Sequence, residues 1–316
     1  MKQKESKKKH QSDSFFLRLT TDMKKNYILY LMILPVVVYY VIFAYVPMYG
    51  VQLAFKDFVI KKGFWGSPFV GLAHFKRFFD NYNFGVLIKN TVGISAYSLL
   101  VGFPIPIVFA LMLNYLRHEK LKKTVQMVSY APYFISTVIM CGMLIIFLQP
   151  DTGIFNIIRR FFGLESLAYL SKPEFFKSIY VWSGVWQGLG WSSIIYISSL
   201  SGVDFQLHEA AIVDGASKLQ RIWHVDLPSI KPTIVMLLIL SMGQLMNVGF
   251  EKVFLLQNPL NFTSSDVIST YVYRVGLINN DYGYSTAVGL FNSAINLFLV
   301  VSANKLAKKL TSESLW

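Results

Sequence analysis

The residues that could do chemistry are concentrated in a loop that is rich in small, acidic and proline residues. His208 and Glu209 begin like the zinc-protease motif H-E-x-x-H, but Ile212 occupies the position of the second histidine, which excludes that zinc site. The chain also contains no G-x-x-x-x-G-K-[ST] loop, so we expect it to bind no ATP itself. The remaining chemistry that the loop favours is recognition of another protein.

This loop, residues 204–232, has the pattern of a helix, a turn and a second helix. Residues 209–213 favour helix, and Gly215 can take the left-handed conformation that ends a helix. Ser217, followed three residues later by Gln220, predicts a capping box at the start of the second helix. The loop is therefore expected to be compact and ordered.

The second helix is expected to present an apolar surface. Leu219, Ile222 and Trp223 share one face at helical spacing. Pro228 and Pro232 are expected to end this helix, and Pro232 also suits the first turn of the next span. Attachment to a lipid surface is the alternative. Acidic residues argue against adhesion to an anionic membrane: Asp204, Glu209, Asp214 and Asp226.

The composition around the 204–232 loop is that of a membrane protein. Hydrophobic residues make up 54% of the 316 residues and charged residues 15%, against roughly 25% in a soluble domain. A spanning helix needs roughly 20 apolar residues. Charge-free runs of about that length or more occupy 27–55, 90–116, 124–150, 178–203, 232–250 and 282–304. The sequence predicts an all-α integral membrane protein with about six transmembrane helices.

Basic residues predict the orientation of these helices. Lys and Arg are abundant before the first run, between the second and third, and after the sixth. The positive-inside rule places these regions, both termini and the 204–232 loop in the cytoplasm. Topology thus explains the net charge of +13, and we expect no nucleic-acid partner. The predicted parts are a basic cytoplasmic tail (1–25), a first helix with an outer segment (26–84) and a core (85–310).

The 204–232 loop resembles the EAA loop of ABC-importer permeases. Nine positions match that pattern: Glu209, Ala210, Ala211, Asp214, Gly215, Ala216, Leu227, Pro228 and Pro232. Ile222 stands where that family usually has Phe, and Val225 where it usually has Ile. The resemblance implies that residues 216–223, with Leu219, Ile222 and Trp223, form a coupling helix that docks in a groove of an ATPase subunit. Glu209 would anchor the loop, through a basic residue on the partner.

A wider resemblance, over roughly residues 85–310, is to MalF-like sugar permeases with the type I ABC importer fold. Segments 33–35, 45–50, 55–58 and 71–75 resemble permeases of the LplB/YteP group. This resemblance implies import of complex, often acidic oligosaccharides, such as rhamnogalacturonan or alginate fragments, across a bacterial cytoplasmic membrane. It also implies four partners besides the bilayer: a second, MalG-like permease, an ATPase dimer that binds ATP and Mg²⁺, an extracytoplasmic sugar-binding protein and the oligosaccharide.

Matching the central cavity of that family onto this chain predicts a substrate path of polar and aromatic residues within the spans. The candidates are Tyr133, Thr137, Gln187, Gly188, Trp191, Ser241, Gln244, Asn247 and Glu251. For each of them, packing between helices or anchoring at the membrane surface is the alternative. No catalytic residue, metal ligand or cofactor is expected in this chain.

Three other functions are alternatives. The chain could be a permease for another sugar or solute. A membrane-embedded transferase would need acidic or histidine residues clustered at a membrane face, and the 204–232 loop fits docking better. A carrier that works alone would predict internal duplication, and the sequence has no evident internal repeat.

Overall fold

The computed structural model of the chain describes residues 21–311 and residue 314. Within these residues the regular secondary structure is helical, apart from an isolated antiparallel bridge between Lys56 and Phe69. The predicted all-α class is confirmed. Residues 1–20 of the predicted basic tail lie outside the described part of the chain.

From residue 27 onward the described chain contains seventeen α-helices. They are α1 (Tyr27–Tyr40), α2 (Val46–Met48), α3 (Gly63–Gly66), α4 (Ala73–Phe79), α5 (Phe84–Gly102), α6 (Pro104–Asn114), α7 (Glu119–Tyr130), α8 (Thr137–Phe147), α9 (Ile154–Phe161), α10 (Pro173–Ser201), α11 (Phe205–Val213), α12 (Lys218–Arg221), α13 (Leu227–Met242), α14 (Phe250–Leu256), α15 (Phe262–Ser265), α16 (Ile268–Tyr273) and α17 (Tyr282–Thr311). π-helical turns occupy Val41–Tyr45, Ile222–Asp226 and Arg274–Ile278, and 3₁₀ turns occupy Tyr49–Phe55, Ile60–Lys62 and Ala131–Phe134.

Four helical stretches of the described chain are long and apolar enough to cross a membrane: Tyr27–Phe55, Phe84–Asn114, Lys218–Met242 and Tyr282–Lys309. A bent pair, Glu119–Phe134 with Thr137–Phe147, would be a fifth. α10 has 29 residues and contains most of the predicted fourth span, 178–203, but its Ser, Gly and Trp residues make it less apolar. The count of six spans therefore stays a prediction, as does the cytoplasmic position of the termini.

The predicted span at 124–150 is not one helix. Its two halves meet at an angle of 99°. Pro132 lies in the 3₁₀ turn before the bend, and Ser136 takes an extended conformation. The Ser136 hydroxyl accepts a hydrogen bond from the Ile139 N–H at 3.3 Å and so caps α8. The charge-free run is continuous because both halves are apolar, but the backbone is interrupted within it.

The chain forms two compact units, which divide after Gln52. In the first unit α1 has no buried side chain and is almost entirely apolar. Lipid favours such a surface, since the helix satisfies its own backbone hydrogen bonds and exposes apolar groups. This division does not test the predicted boundary at 84/85, which stays a prediction.

The second unit, from Leu53 onward, contains three buried clusters of hydrophobic residues. The first consists of Phe78, Leu87, Met246, Ile268, Tyr271, Val275, Tyr284 and Val288. The second consists of Ile94, Met140, Cys141, Phe176, Val248, Val253, Leu256 and Val267. The third consists of Ile107, Ala110, Leu111, Tyr196, Leu200 and Ile230. Cys141 is a buried packing residue of the second cluster.

Gly190 allows α10 to cross α7 closely. A Cβ atom at this position would overlap the Ser129 carbonyl and lie 2.6 Å from the Tyr130 ring. We expect Gly190→Ala to lower the thermal unfolding midpoint, because overpacking of this kind costs about 1–3 kcal/mol. Gly188→Ala on the same helix is the matched control, since its Cβ would meet only Ser192 Oγ, at 3.9 Å. Because both changes raise helix propensity equally, a difference in unfolding midpoint reports the steric overlap at position 190. Equal unfolding midpoints of the two variants would contradict the prediction.

Candidate functional site

The first half of the 204–232 loop folds as the sequence predicts. The Asp204 carboxylate accepts a hydrogen bond from the Gln206 N–H at 2.9 Å and caps α11. Gly215 has a φ of 76°, the predicted left-handed conformation. The Ala216 N–H then donates to the Ala211 carbonyl at 2.8 Å. A side chain at position 215 would strain the backbone by about 1–2 kcal/mol, so this turn favours glycine.

The predicted capping box of the second helix is confirmed. The Ser217 N–H donates to Gln220 Oε1 at 2.7 Å, and the Gln220 N–H donates to Ser217 Oγ at 3.4 Å. These two bonds satisfy donors that a helix start otherwise leaves unpaired. The short helix α12 is therefore held in place by its own sequence.

The prediction that Pro228 and Pro232 end this helix is wrong. α12 continues through the π turn Ile222–Asp226 into α13, with Pro228 in the first turn of α13 and Pro232 inside it. In the π turn the Leu227 N–H bonds to the Ile222 carbonyl, five residues back. This local change of bonding accommodates a residue that lacks an N–H. Residues Lys218–Met242, the second half of the loop and the following span, are therefore one continuous helical stretch.

The apolar face of the loop lies beside α6. Leu219 and Trp223 are 70% and 67% exposed, while Ile222 and Leu227 pack against the third buried cluster. All four line an open groove of about 620 Å³ with residues of α6. Five of the other predicted loop residues are exposed: Glu209, Ala210, Asp214, Gly215 and Pro228. The remaining two are half-buried: Ala211 and Ala216.

A buried carboxylate joins the loop to the helix bundle. Asp226 has no exposed surface, and its Oδ2 accepts a hydrogen bond from the Tyr115 hydroxyl at 2.6 Å. Its Oδ1 lies 3.4 Å from His208 Nε2. The Arg221 guanidinium lies 5.4 Å from the centre of the Tyr115 ring. Burial, and then the hydrogen bond to Asp226, raise the pKa of the Tyr115 phenol. The carboxylate thus connects α11, the π turn and the end of α6.

A cavity of about 810 Å³ lies between α5, α6, α10 and α13. Ligand-binding cavities have volumes of roughly 300–1,000 Å³. Four of the predicted substrate-path residues line it: Trp191, Ser241, Gln244 and Asn247. Gln187 and Gly188 line an adjoining cavity of about 290 Å³, which shares Ser98, Tyr180 and Ser192 with the larger one. These six residues come from two separate stretches of the chain, 187–191 and 241–247, which are therefore brought together.

The other three predicted path residues lie elsewhere. Tyr133 stacks on Trp191 with ring centres 4.4 Å apart and planes 4° from parallel, so it supports a residue of the cavity wall. Thr137 is half-buried beside the bend and lines neither cavity, and Glu251 is exposed. Gln187 donates to the Ile135 carbonyl at 2.8 Å, which connects the smaller cavity to the bend.

Amide side chains form a network at the larger cavity. Asn247 donates to Gln244 Oε1 at 2.8 Å and accepts from Asn292 at 3.0 Å and from Asn296 at 3.1 Å. Asn296 also accepts from the Met246 N–H at 2.9 Å. The network holds amide groups at the cavity wall in a defined orientation. Amides and aromatic faces in such a wall can bind the hydroxyl groups and rings of sugars.

Comparison with known proteins accounts for this architecture. Residues 102–312 match the family of binding-protein-dependent transport system inner membrane components. The chain belongs to this family. The chain is thus a transport component of a membrane and not an enzyme.

Similar proteins cover nearly the whole chain. It is 44% identical over 299 residues to the polygalacturonan/rhamnogalacturonan transport system permease protein YteP of Bacillus subtilis, covering 95% of this chain and 93% of the relative. It is 40% identical over 294 residues to the protein LplB of the same organism, covering 93% and 92%. The fold also matches one chain in a crystal structure of a bacterial alginate ABC transporter in complex with an alginate pentasaccharide-bound periplasmic protein. The TM-score is 0.87 and the sequence identity 40%, and the match covers 94% of this chain and 100% of that one.

Two residues of this transport component were missed by sequence reasoning. Asp226 was interpreted only as a surface charge, although it lies four residues from Ile222 and four from the buried Ile230, on the inward face. This helical spacing predicts that Asp226 faces the core. Lys252 is 9% exposed and lines the smaller cavity, whereas the predicted Glu251 faces outward. Nothing in the sequence decides which of two adjacent charged residues turns inward.

Proposed function

We propose that this chain is a membrane-spanning permease subunit of an ATP-driven importer of acidic oligosaccharides in the cytoplasmic membrane of a bacterium. The observation that carries the proposal is the 44% identity, over 95% of the chain, to a polygalacturonan/rhamnogalacturonan permease. A crystal structure of a transporter for the acidic polysaccharide alginate matches 93% of the chain with a TM-score of 0.86. Both comparisons involve carbohydrate polymers that carry carboxylates.

The cavity supports transport of a sugar. Trp191 offers an aromatic face, Ser241 a hydroxyl and Gln244 an amide along one wall. These groups suit a ligand that has apolar ring faces and many hydroxyl groups. A second, MalG-like permease would complete the cavity, and an extracytoplasmic sugar-binding protein would deliver the oligosaccharide.

The 204–232 loop supports coupling to an ATPase. Leu219 and Trp223 are large, exposed and held on an ordered helix, as expected of residues that dock in a groove of a partner. The partner would be an ATPase dimer, which would bind ATP and Mg²⁺. Glu209 and Asp214, both exposed, would contact basic residues around that groove.

The proposed mechanism uses the continuity of α12 and α13. ATP binding closes the ATPase dimer and moves residues 216–223. Because these residues continue without a break into a helix that lines the cavity, their movement changes access to the cavity from one side of the membrane to the other. Hydrolysis of ATP resets the arrangement. Coupling requires that the ATPase at residues 216–223 and the sugar in the cavity both shift the same equilibrium between two arrangements of the helix bundle.

Purification of the chain from its native host in mild detergent tests the proposed function. We expect a second permease, an ATPase and a sugar-binding protein to copurify, and ATPase activity to rise with tetragalacturonate. Maltotetraose, a neutral oligosaccharide of the same length, is the control and should not stimulate. A chain that purifies alone after crosslinking at residues 216–223 would instead favour a lone carrier or a transferase. Stimulation by maltotetraose only would show that the substrate class is wrong.

A further inference from the structure

Lys252 lies in α14 at a place where several contacts hold its side chain. Its ammonium donates a hydrogen bond to the Tyr180 carbonyl at 2.7 Å and lies 4.5 Å from the centre of the Tyr180 ring. The Tyr180 hydroxyl in turn accepts a hydrogen bond from the Gly249 N–H at 3.1 Å. The segment that carries Lys252 is therefore attached to α10 at two points, and the position of the ammonium is defined.

The ammonium has no counter-charge in the described part of the chain. Arg77 and Arg274 each lie 2.7 Å from an aspartate, and the buried Asp226 lies 3.4 Å from a histidine. Lys252 is more buried than either arginine, yet no carboxylate of residues 21–311 lies within 4.0 Å of its ammonium. A buried charge without an opposite charge is costly, and proteins keep such charges mainly where they serve a function.

The surroundings leave room for a ligand beside this ammonium. Lys252 lines the cavity of about 290 Å³ together with Gly184, Gln187 and Gly188 of α10. A Cβ atom at Gly184 would lie 3.2 Å from the ammonium, so the absence of a side chain there keeps the approach open. Ser98 and Ser192 belong to both this cavity and the larger one. The cavity that Lys252 lines therefore adjoins the larger one.

We propose that Lys252 binds a carboxylate of the transported oligosaccharide and selects acidic over neutral sugars. This inference rests on the proposed function, since it assigns a charge-recognising residue to the same cavity. A charge-assisted hydrogen bond from the ammonium to a uronate would supply the counter-charge that the described chain lacks. The neighbouring Gln187 amide and Ser98 hydroxyl would bind neutral groups of the same sugar unit.

Equilibrium binding by the complete importer in lipid nanodiscs, without its binding protein, tests this assignment. The two probes are labelled tetragalacturonate and its methyl ester, in which the carboxylates are masked. We expect Lys252→Met to weaken binding of tetragalacturonate tenfold or more and to leave the Kd for the methyl ester within twofold. Lys252→Arg should keep the preference for the acid. Lys172→Met, which removes an exposed charge at the start of α10, should change neither Kd.

The ratio of the two affinities separates recognition from a structural role. Equal weakening for both probes, or no change for either, would overturn the inference. Because both probes are measured on one preparation, partial loss of folded protein leaves their ratio unchanged. If Lys252→Met does not assemble with its partners, Lys252→Gln provides the same comparison. Failure of the wild-type importer to respond to any acidic oligosaccharide would instead reject the proposed substrate class.

Discussion

We expect the variant Asp226→Ala to lose about 3 kcal/mol of stability and to lower the thermal unfolding midpoint by about 5–10 °C. The carboxylate has no exposed surface and interacts with Tyr115 and His208 from two other elements. Removing it leaves the Tyr115 phenol without its acceptor and His208 without its carboxylate partner. Both of these groups are half-buried, and a polar group that is shielded from water and loses its partner costs about 1–3 kcal/mol. Differential scanning fluorimetry of the purified chain measures the midpoint.

Two further variants identify the cause of that loss. Asp214→Ala removes an exposed carboxylate from the same loop and should change stability by less than about 0.5 kcal/mol. Tyr115→Phe removes only the donor to Asp226 and keeps the ring beside Arg221. Its loss of stability should therefore lie between those of Asp214→Ala and Asp226→Ala. If Asp226→Ala and Asp214→Ala unfold at the same temperature, the buried carboxylate does not hold the loop to the bundle.

We expect Trp223→Ala to weaken association with the ATPase subunit about 30-fold, which corresponds to about 2 kcal/mol. Trp223 is 67% exposed in the π turn that follows α12, and Leu219 in α12 is 70% exposed. Large aromatic side chains that fill a groove dominate the energetics of such interfaces. The measurement is surface plasmon resonance of the ATPase subunit on the permease pair in nanodiscs. Folding should be unaffected, because most of the Trp223 side chain makes no contact within the chain.

Phe162→Ala is the matched control for this measurement. Phe162 follows α9, is 71% exposed and is therefore a similar aromatic surface. The predicted orientation places it on the opposite side of the membrane, so its removal should leave the association unchanged. Equal weakening by both variants would argue that general exposure of aromatic surface, and not docking at residues 216–223, governs the association.

Sequence reasoning was most accurate where the structure is set by neighbouring residues. The capping box of Ser217 with Gln220 and the left-handed turn at Gly215 depend on side chains within a few positions, and both were predicted. The family was recognised for the same reason, since the spacing of small, acidic and proline residues in the 204–232 loop is a local pattern. The apolar runs likewise predicted an all-α membrane protein, because the length of a run is a local property.

The tertiary structure decided what depends on contacts between distant segments. The π turn before Pro228 keeps the loop continuous with α13, although proline alone favours an end. Four predicted path residues from α10 and the chain around α13 meet at one cavity, while Thr137 and Glu251 do not line it. The burial of Asp226 and Lys252 depends on Tyr115 and Tyr180, which are 111 and 72 residues away. The sequence by itself determined the all-α class, the turn chemistry of the 204–232 loop and the family. Which charged groups face inward was decided only by packing, because the free energy of burying a charge depends on partners that local sequence does not specify.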